Sequence, residues 1–442
     1  MKKLLTSFAI LAACFAAGAQ DFDTYFEDAT LRLDYVLCGG ADNQSVYFQQ
    51  ASKTSGWAGR RQHMDELLLE GNGQIRLRSL EDGKVLYANS FSTLFQEWQS
   101  IPEASQVQKA FENCFQVPFP KEKVEVEVTL TNARREVCAT LRHVIDPADI
   151  LIRRFHDNGN PCITVWEGGS LEKAIDIVIV AEGYTAEEKA KFFSDARRLE
   201  EGVFSHEPFA SRHGDFNVRA VFAESQGSGA SVPREGEWHD TAVSCHYDTF
   251  YSDRYLTTSS MQKLYDLIGT VPFEHVIVLV NTPRYGGGGV FNSVTIASSN
   301  HPTANIVLVH EFGHSFAGLA DEYAYDNYGD RYPEGIEPWE PNVTTLTDFA
   351  SKWEDMLEPG TPVPTPVDQL EQRRDIRRIG NTLPAKDRER LNLHVGVYEG
   401  AAYNPTGVFR PVQECRMRMN ECEHFCPVCS RAIQRTIDFY TR

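Results

Sequence analysis

The sequence predicts an α+β protein, with an N-terminal antiparallel β-sandwich followed by an α/β domain. Residues 21–145 alternate between short apolar and polar runs that turn sequences separate, which is the pattern of half-buried strands. From residue 165 onward, continuous β-branched runs alternate with segments of helical spacing, which is typical of an α/β layer. The chain has 442 residues, and because single cores rarely grow beyond about 250–300 residues, we expect at least two folded units.

The first unit is predicted to consist of strands joined by short turns. Period-two alternation is found in the segments 30–39, 44–52, 73–80, 84–92 and 123–145. The sequences EDG, GNG and TNAR beside or within them carry the glycine and asparagine residues that tight turns favour. We therefore expect a β-sandwich accessory domain at 20–145 and a linker at 146–164.

The second unit is predicted to begin with a buried strand. Residues 173–185 form a continuous β-branched run, and helical spacing follows, with Thr185 as the candidate N-cap. Further strands are predicted at 215–225 and 273–281, with a helix at 257–269 between them. This alternation of strands and helices implies an α/β layer.

Residues 1–19 have the layout of a secretory signal peptide, with two lysines, an apolar run and the small residues Ala17, Gly18 and Ala19. The sequence LAAC, ending at Cys14, also resembles a bacterial lipobox, in which the cysteine would carry a lipid. Because the apolar run continues past this cysteine to an A-x-A pattern, we favour secretion without the lipid anchor. Either alternative exports the protein to the periplasm, the cell surface or the medium.

The charge balance excludes some classes of partner. The chain carries 43 basic and 62 acidic residues, for a net charge of −19, which argues against nucleic acid and anionic membrane surfaces. After the N-terminus no apolar segment reaches the about 18 residues that a transmembrane helix needs. The sequence leaves the oligomeric state open.

The segment NIVLVHEFGHSFAGLADEY, residues 305–323, contains the candidate metal ligands and the candidate catalytic base. His310 and His314 would lie one helical turn apart and about 40° apart around the axis, so that both imidazoles can bind one metal ion. Glu311 follows the first histidine and occupies the general-base position of an H-E-x-x-H motif. The apolar residues before the motif favour a buried helix, in which histidines need partners.

The third ligand must come from beyond the end of this helix. In a continuous helix, Asp321 would lie about 10 Å along the axis from His314, which is too far to share a metal ion. Gly318 can adopt the left-handed conformation that ends helices and let the chain turn back. We therefore predict that Asp321 is the third ligand, with Glu322 as the alternative ligand or as a hydrogen-bond acceptor for a ligand histidine.

Four segments together resemble a known family: HEFGHSFAGLADEY, DIVIVAEGYT, FRPVQECRMRM and FCPVCSRAI. They look like the IgA-peptidase family of secreted bacterial zinc metallopeptidases, which is metzincin-like in general plan. The resemblance covers roughly 165–440 and implies a catalytic domain at 165–442 and one catalytic zinc ion. That ion would be bound by His310, His314 and Asp321, with Glu311 as the base.

The chain departs from the common metzincin spacing H-E-x-x-H-x-x-G-x-x-H. The glycine is Gly318 instead of residue 317, and Ala320 occupies the position expected for the last ligand. Metzincins also place a methionine turn under the zinc ion, for which Met417 is the candidate and Met419 the second choice.

Four cysteines near the C-terminus must be explained together: Cys415, Cys422, Cys426 and Cys429. A C-x-x-C pair beside further cysteines is one pattern of structural zinc sites. Because disulfides form in exported proteins, we expect one or two disulfides that join the methionine turn to the last helix. A redox role for the C-x-x-C pair is disfavoured because no thioredoxin-like context surrounds it.

These observations predict a secreted zinc endopeptidase that acts on extended polypeptides or glycoproteins, with immunoglobulin A as the substrate that the family name suggests. The glycine run at 286–289 indicates a mobile turn, and an exposed strand at 292–299 is expected to pair with the substrate. Two alternatives remain open, a surface protein that binds glycans or glycoproteins and a zinc amidase that acts on cell-wall peptides.

Overall fold

The computed structural model describes residues 20–156, 158–325, 332–367 and 385–442, so the signal peptide predicted at 1–19 lies outside the described residues. The helices are α1 Gln20–Tyr25, α2 Leu94–Trp98, α3 Lys189–Phe204, α4 Met261–Ile268, α5 Ala304–Ala317, α6 Ala385–Leu393 and α7 Pro427–Thr441. The strands are β1 Phe26–Gly40, β2 Asn43–Ser55, β3 Gly73–Ser79, β4 Val85–Phe91, β5 Lys109–Pro120, β6 Val124–Thr131, β7 Val137–Ile145, β8 Arg153–Arg154, β9 Cys162–Glu167, β10 Ile175–Glu182, β11 Phe216–Val221, β12 His275–Val280, β13 Gly287–Val290, β14 Val294–Ser298, β15 Tyr398–Ala401 and β16 Asn404–Arg410. Within the described ranges, no helix has the length and apolar character needed to cross a bilayer.

Two four-stranded sheets make up the N-terminal part of the chain, with the strand orders β5-β1-β2-β8 and β4-β3-β6-β7. They share one hydrophobic cluster, into which β1 directs Leu31 and Leu33 and β6 directs Val126 and Val128. Successive side chains of a strand face opposite sides, so the predicted alternation marks the residues of this cluster. The two sheets have the arrangement of the predicted β-sandwich.

Strand β5 was not predicted, because its side chains enter two different cores. Phe115 and Val117 lie in the cluster of the sandwich, whereas Cys114 packs into a cluster of the following α/β layer. With both faces covered, the strand loses the apolar and polar alternation that marks a half-buried strand.

A buried arginine on β1 joins the sandwich to the α/β layer. Arg32, on the outer face of β1, donates to both carboxylate oxygens of Asp34 at 2.6 and 2.9 Å. It also donates to Asp266 at 2.6 Å and to the carbonyl of Gln262 at 3.1 Å, and both of these residues lie on α4. The sandwich is therefore held against the α/β layer by directed polar contacts.

The α/β layer is a six-stranded sheet with the order β13-β14-β12-β10-β11-β9. Strand β10 lies parallel between β11 and β12, and all eight of its residues are buried, which explains its continuous apolar sequence. One face packs on α3, α5 and α7, and the other face packs on α4. The described residues thus form a mixed α+β structure with several sheets and few helices.

A strand lies within 292–299 as predicted, but its expected exposure and the mobile turn expected at 286–289 were wrong. The glycine run is not a mobile turn, because Gly287–Val290 form strand β13 at the edge of the sheet. The strand that was expected to be exposed, Val294–Ser298, lies between β13 and β12, and all five of its residues are buried. Its backbone hydrogen bonds are made within the sheet, so it cannot pair with a substrate.

A hairpin of β15 and β16 follows helix α6 and was not predicted. Ala401 pairs with Asn404 across the turn, and the two turn residues, Ala402 and Tyr403, have φ values of 48° and 68°. Two left-handed residues are characteristic of a type I′ turn, which usually contains Asn-Gly. Because neither residue is glycine or asparagine, the sequence carries no turn signal here.

Substituting Arg32 by alanine should destabilise the protein strongly. The change leaves the carboxylate of Asp34 buried without its charged partner, and breaking buried pairs in this way costs about 3–5 kcal/mol. The decrease in the free energy of unfolding can be measured by urea denaturation. The control Asp266→Asn removes a partner whose side chain is 42% exposed and should cost less than about 1 kcal/mol. Equal effects of the two variants would contradict the prediction.

Candidate metal centre

Helix α5 ends where the sequence predicted it would end. Gly318 adopts the left-handed conformation, with φ 61° and ψ 29°, and its N–H donates to the carbonyl of His314 at 3.0 Å. The next N–H, of Leu319, donates to the carbonyl of Gly313 at 3.2 Å. These bonds satisfy carbonyls at the helix end and reverse the chain, which confirms the predicted role of the glycine.

The reversal brings three side chains together. Nε2 of His310 lies 3.0 Å from Nε2 of His314 and 3.0 Å from Oδ1 of Asp321. Nε2 of His314 lies 3.3 Å from the same carboxylate oxygen. The structure therefore places Asp321, and not Glu322, beside the two histidines.

The other ring nitrogen of each histidine has a fixed partner. Nδ1 of His310 donates to the carbonyl of Arg416 at 3.0 Å, and Nδ1 of His314 donates to the carbonyl of Leu319 at 2.5 Å. Because a carbonyl oxygen only accepts, each Nδ1 carries a proton, so each ring in its neutral form presents a lone pair at Nε2. In that form, two lone pairs and a carboxylate oxygen point at one another.

This donor set fits a zinc ion. Ligand atoms bound tetrahedrally at about 2.0–2.1 Å would lie about 3.3 Å apart, which is close to the distances seen here. The two imidazoles with one carboxylate are a common ligand set of catalytic zinc sites. The histidine side chains keep 14% and 16% of their surface exposed, so water and a substrate can reach the group.

The pKa values of the side chains in this cluster are shifted by burial and by the charges of their neighbours. Burial by itself would lower the pKa of His314, but the charge and hydrogen bond of Asp321 raise it to about 9. Burial would raise the pKa of Asp321, yet the two neighbouring histidines hold it well below its usual value. Burial raises the pKa of Glu311. The cluster therefore favours a protonated His314 beside an ionised Asp321, and a metal ion bound here would take the place of that proton.

Strand β13 lies directly against Glu311 because it consists largely of glycine. A Cβ atom on Gly287 would lie 2.9 Å from Oε1 of Glu311, and one on Gly289 would lie 2.2 Å from its carbonyl oxygen. Real Cβ atoms do not approach other atoms so closely, so these positions require glycine. The glycine run positions an edge strand beside the candidate base.

Tyr403 is a site residue that the sequence did not indicate. Its hydroxyl donates to Oδ2 of Asp321, the carboxylate oxygen that does not face the histidines. The hairpin turn is held in place by backbone bonds from Ala402 to Asp321 at 2.8 Å and from Tyr403 to Tyr323 at 2.9 Å. Strained residues such as these are retained at sites that fix a functional side chain. No local sequence signal could have linked this tyrosine to a residue so far away along the chain.

Met417 packs against α5, the helix that carries His310 and His314, as the resemblance implied. It is fully buried, and its sulfur would lie 2.9 Å from a Cβ on Gly313, so the glycine within the HEFGH sequence makes room for it. Its carbonyl accepts from the N–H of Glu322 at 2.8 Å. Met419, the second choice, is only partly buried. The first of the two methionines therefore contacts the helix that carries the histidines.

Glu322 belongs to a second, separate group of side chains. Its carboxylate accepts from Asn342 at 2.9 Å and from the thiol of Cys429 at 3.0 Å. The expected disulfides are not formed, since every cysteine of the described residues is free. Cys415 and Cys429 approach to 3.8 Å between their sulfurs, well beyond the about 2.05 Å of a disulfide bond. Cys422 lies outside this group and donates to the carbonyl of His424.

A histidine pair, a carboxylate and an adjacent glutamate on a mixed α/β scaffold are able to bind a metal ion and to activate water, as hydrolases do. The family model IgA Peptidase M64 matches residues 163–437, and the model Peptidase M64 N-terminus matches residues 21–142. The chain belongs to the IgA peptidase M64 family, as the resemblance of its motifs predicted. It is therefore a peptidase, a hydrolase whose substrates are polypeptides. A search among curated proteins finds no match.

Replacing Gly289 by alanine should reduce both stability and peptidase activity. The added methyl group would overlap the backbone of α5 at Glu311, and overpacking of this kind costs about 1–3 kcal/mol. Thermal unfolding and cleavage of a peptide library measure the two effects. The control Gly214→Ala adds a methyl group with no atom within 4 Å and should leave both unchanged. Wild-type behaviour of the first variant would contradict the close packing of β13.

Proposed function

We propose that this peptidase is a zinc-dependent endopeptidase with a metzincin-like catalytic domain. His310, His314 and Asp321 bind the zinc ion, and Glu311 is the general base. The observation that carries this proposal is the convergence of two histidine Nε2 atoms on one carboxylate oxygen, with both Nδ1 atoms held by carbonyls. With both rings neutral, these three acceptor atoms repel one another, and a zinc ion between them would remove that repulsion, as a proton on His314 also does.

Each of these residues has a separate task in peptide hydrolysis. The zinc ion, when bound, supplies Lewis acidity toward water and the scissile carbonyl. Glu311 takes a proton from the attacking water and returns it to the leaving amine. Tyr403 and the carbonyls of Arg416 and Leu319 hold the ligands in orientation. The partly exposed histidine edges leave room for the peptide.

The edge strand β13 is the place where an extended substrate would pair. It lies on the outside of the sheet and against Glu311, whereas the 292–299 strand is enclosed. Part of its edge already pairs, because the N–H of Leu256 donates to the carbonyl of Gly287 at 3.3 Å. The substrate would therefore add beside Gly289, by the backbone pairing that edge strands offer.

The proposed organisation follows the matched family models. The catalytic domain spans 165–442, the accessory sandwich spans 20–145, and 146–164 connect them. A signal peptide at 1–19 would export the protein. Immunoglobulin A is the substrate to test first, because the family description names it. Specific cleavage of purified immunoglobulin A, with an unrelated glycoprotein left intact, would support this assignment, and cleavage of neither would oppose it.

Substituting Glu311 by glutamine should abolish peptide cleavage and leave zinc binding intact. Loss of a general base lowers rates by about 10²–10⁴-fold, while the ligands are untouched. Cleavage is measured on a peptide library by mass spectrometry, and zinc is measured by elemental analysis. The control Glu235→Gln changes an exposed carboxylate paired with Arg284 and should retain full activity. Undiminished turnover by the Glu311 variant would contradict the role of Glu311 as the general base.

Substituting Tyr403 by phenylalanine should weaken zinc binding without unfolding the hairpin. The change removes the hydroxyl that orients Asp321, and losses of such partners cost about 10–100-fold in metal affinity or activity. Competition with a zinc chelator measures the affinity. The matched control is Tyr398→Phe, in the same hairpin, where the hydroxyl donates to the carbonyl of His394 instead. Equal zinc affinity of the two variants would show that the contact to Asp321 has no such role.

A further inference from the structure

We propose that Glu322, Cys415, Cys426 and Cys429 form a second metal site, which binds a structural zinc ion behind the candidate catalytic centre. Neither the peptidase mechanism nor the family match requires this site. It would bind zinc through three thiolates and one carboxylate oxygen. Its role would be to fix the chain segments that carry Asp321 and Met417.

The geometry of the four ligand atoms suits zinc. One atom from each side chain can be chosen so that all four lie within 4.8 Å of one another. The sulfurs of Cys415 and Cys429 are 3.8 Å apart, and thiolates bound tetrahedrally at about 2.3 Å would also lie about 3.8 Å apart. The sulfur of Cys429 lies 3.0 Å from Oε1 of Glu322. The arrangement needs little adjustment to enclose an ion.

Backbone N–H groups point at the sulfurs in the manner that stabilises thiolates. The N–H groups of Cys426 and Met417 donate to the sulfur of Cys415 at 3.3 and 3.5 Å. The N–H of Cys429 donates to the sulfur of Cys426 at 3.4 Å. Cys426 is the N-cap of α7 and Cys429 lies in its first turn, where the helix dipole favours negative charge. Donors aimed at sulfur support bound thiolates better than neutral thiols.

Burial supplies an independent reason to expect a cation. Glu322 and the three cysteines are each fully buried, and Oε2 of Glu322 has no hydrogen-bond partner among the described residues. A buried carboxylate oxygen without a partner is costly, and a bound metal ion would remove that cost. The group has no open side for a substrate, which is the property of a structural zinc site and not of a catalytic one.

The charge balance of the site can be accommodated. Binding of a zinc ion displaces the three thiol protons and leaves a site with net negative charge. The buried Arg410 acts electrostatically on Glu322, and the buried Arg416 acts on Cys415. Two guanidinium groups thus lie where they can offset the remaining charge.

The ion would join three segments that meet only in the folded chain. Glu322 directly follows Asp321, Cys415 lies two residues before Met417, and the other two cysteines begin α7. The N–H of Glu322 already bonds to the carbonyl of Met417. A zinc ion at their junction would hold the third ligand and the buried methionine in register with α5. In contrast, a disulfide between any two of these three cysteines would leave the third cysteine as a buried free thiol.

The test begins with the full chain, purified without chelator or reducing agent. Elemental analysis should give about two zinc ions per chain, one for each site. Exchange with Co²⁺ should produce a near-ultraviolet thiolate-to-cobalt absorption band, which a site of histidines and aspartate does not give. After denaturation in chelator, every cysteine of the cluster should react with an alkylating agent. Alkylation-resistant cysteines with no cobalt–thiolate band would overturn the proposal and restore the disulfides.

Variants separate this site from the proposed catalytic centre. Cys429→Ser should lose the absorption band and one zinc ion, whereas His310→Ala should lose one zinc ion and keep the band. The matched control Cys422→Ser changes a cysteine that is 6% exposed and lies outside the cluster, and it should keep both ions. If Cys429→Ser fails to fold, Glu322→Cys should still give a four-thiolate band. Two zinc ions retained in a folded Cys429→Ser would oppose the proposal and leave the proposed catalytic site standing.

Discussion

The left-handed turn at Gly318 is the constraint on which the candidate site depends. It ends α5 one turn after His314 and reverses the chain, so that Asp321 returns to the two histidines. A side chain at this glycine would meet the ring of Trp339 at 2.6 Å and would strain the backbone by about 1 kcal/mol or more. The position of the aspartate is thus set by backbone conformation first and by side-chain contacts second.

Around this turn the fold supplies support from several directions. The sheet presents β13 to α5, and the glycines of that strand allow the approach to Glu311. The sandwich supports the loop after β13, where the side chain of Asn292 donates to the carbonyl of Ser90 at 2.8 Å and the N–H of Ser92 donates to the carbonyl of Phe291 at 3.0 Å. The sandwich therefore helps to hold the loop that follows the edge strand.

The C-terminal segments complete the site through contacts with α5 and with Asp321. Met417 packs under α5, Arg416 fixes a histidine ring through its carbonyl, and Tyr403 contacts the far oxygen of Asp321. Each of these residues lies about 80 or more positions from the residue it contacts, so the site is assembled only when the chain is folded. A structural ion at Glu322 would bind at the same junction. Loss of that ion would then disturb both the C-terminal segments and the position of Asp321.

The sequence by itself determined the local features: the helix with His310 and His314 on one face, the glycine that ends it, and the buried strand β10. These follow from periodicity, capping and backbone conformation, which act over a few residues. The tertiary structure alone decided that the glycine run is the edge strand, that Tyr403 reaches Asp321, and that Glu322 joins the cysteines instead of the histidines. Such contacts depend on packing between distant segments, and no local pattern of residues records which segments will meet.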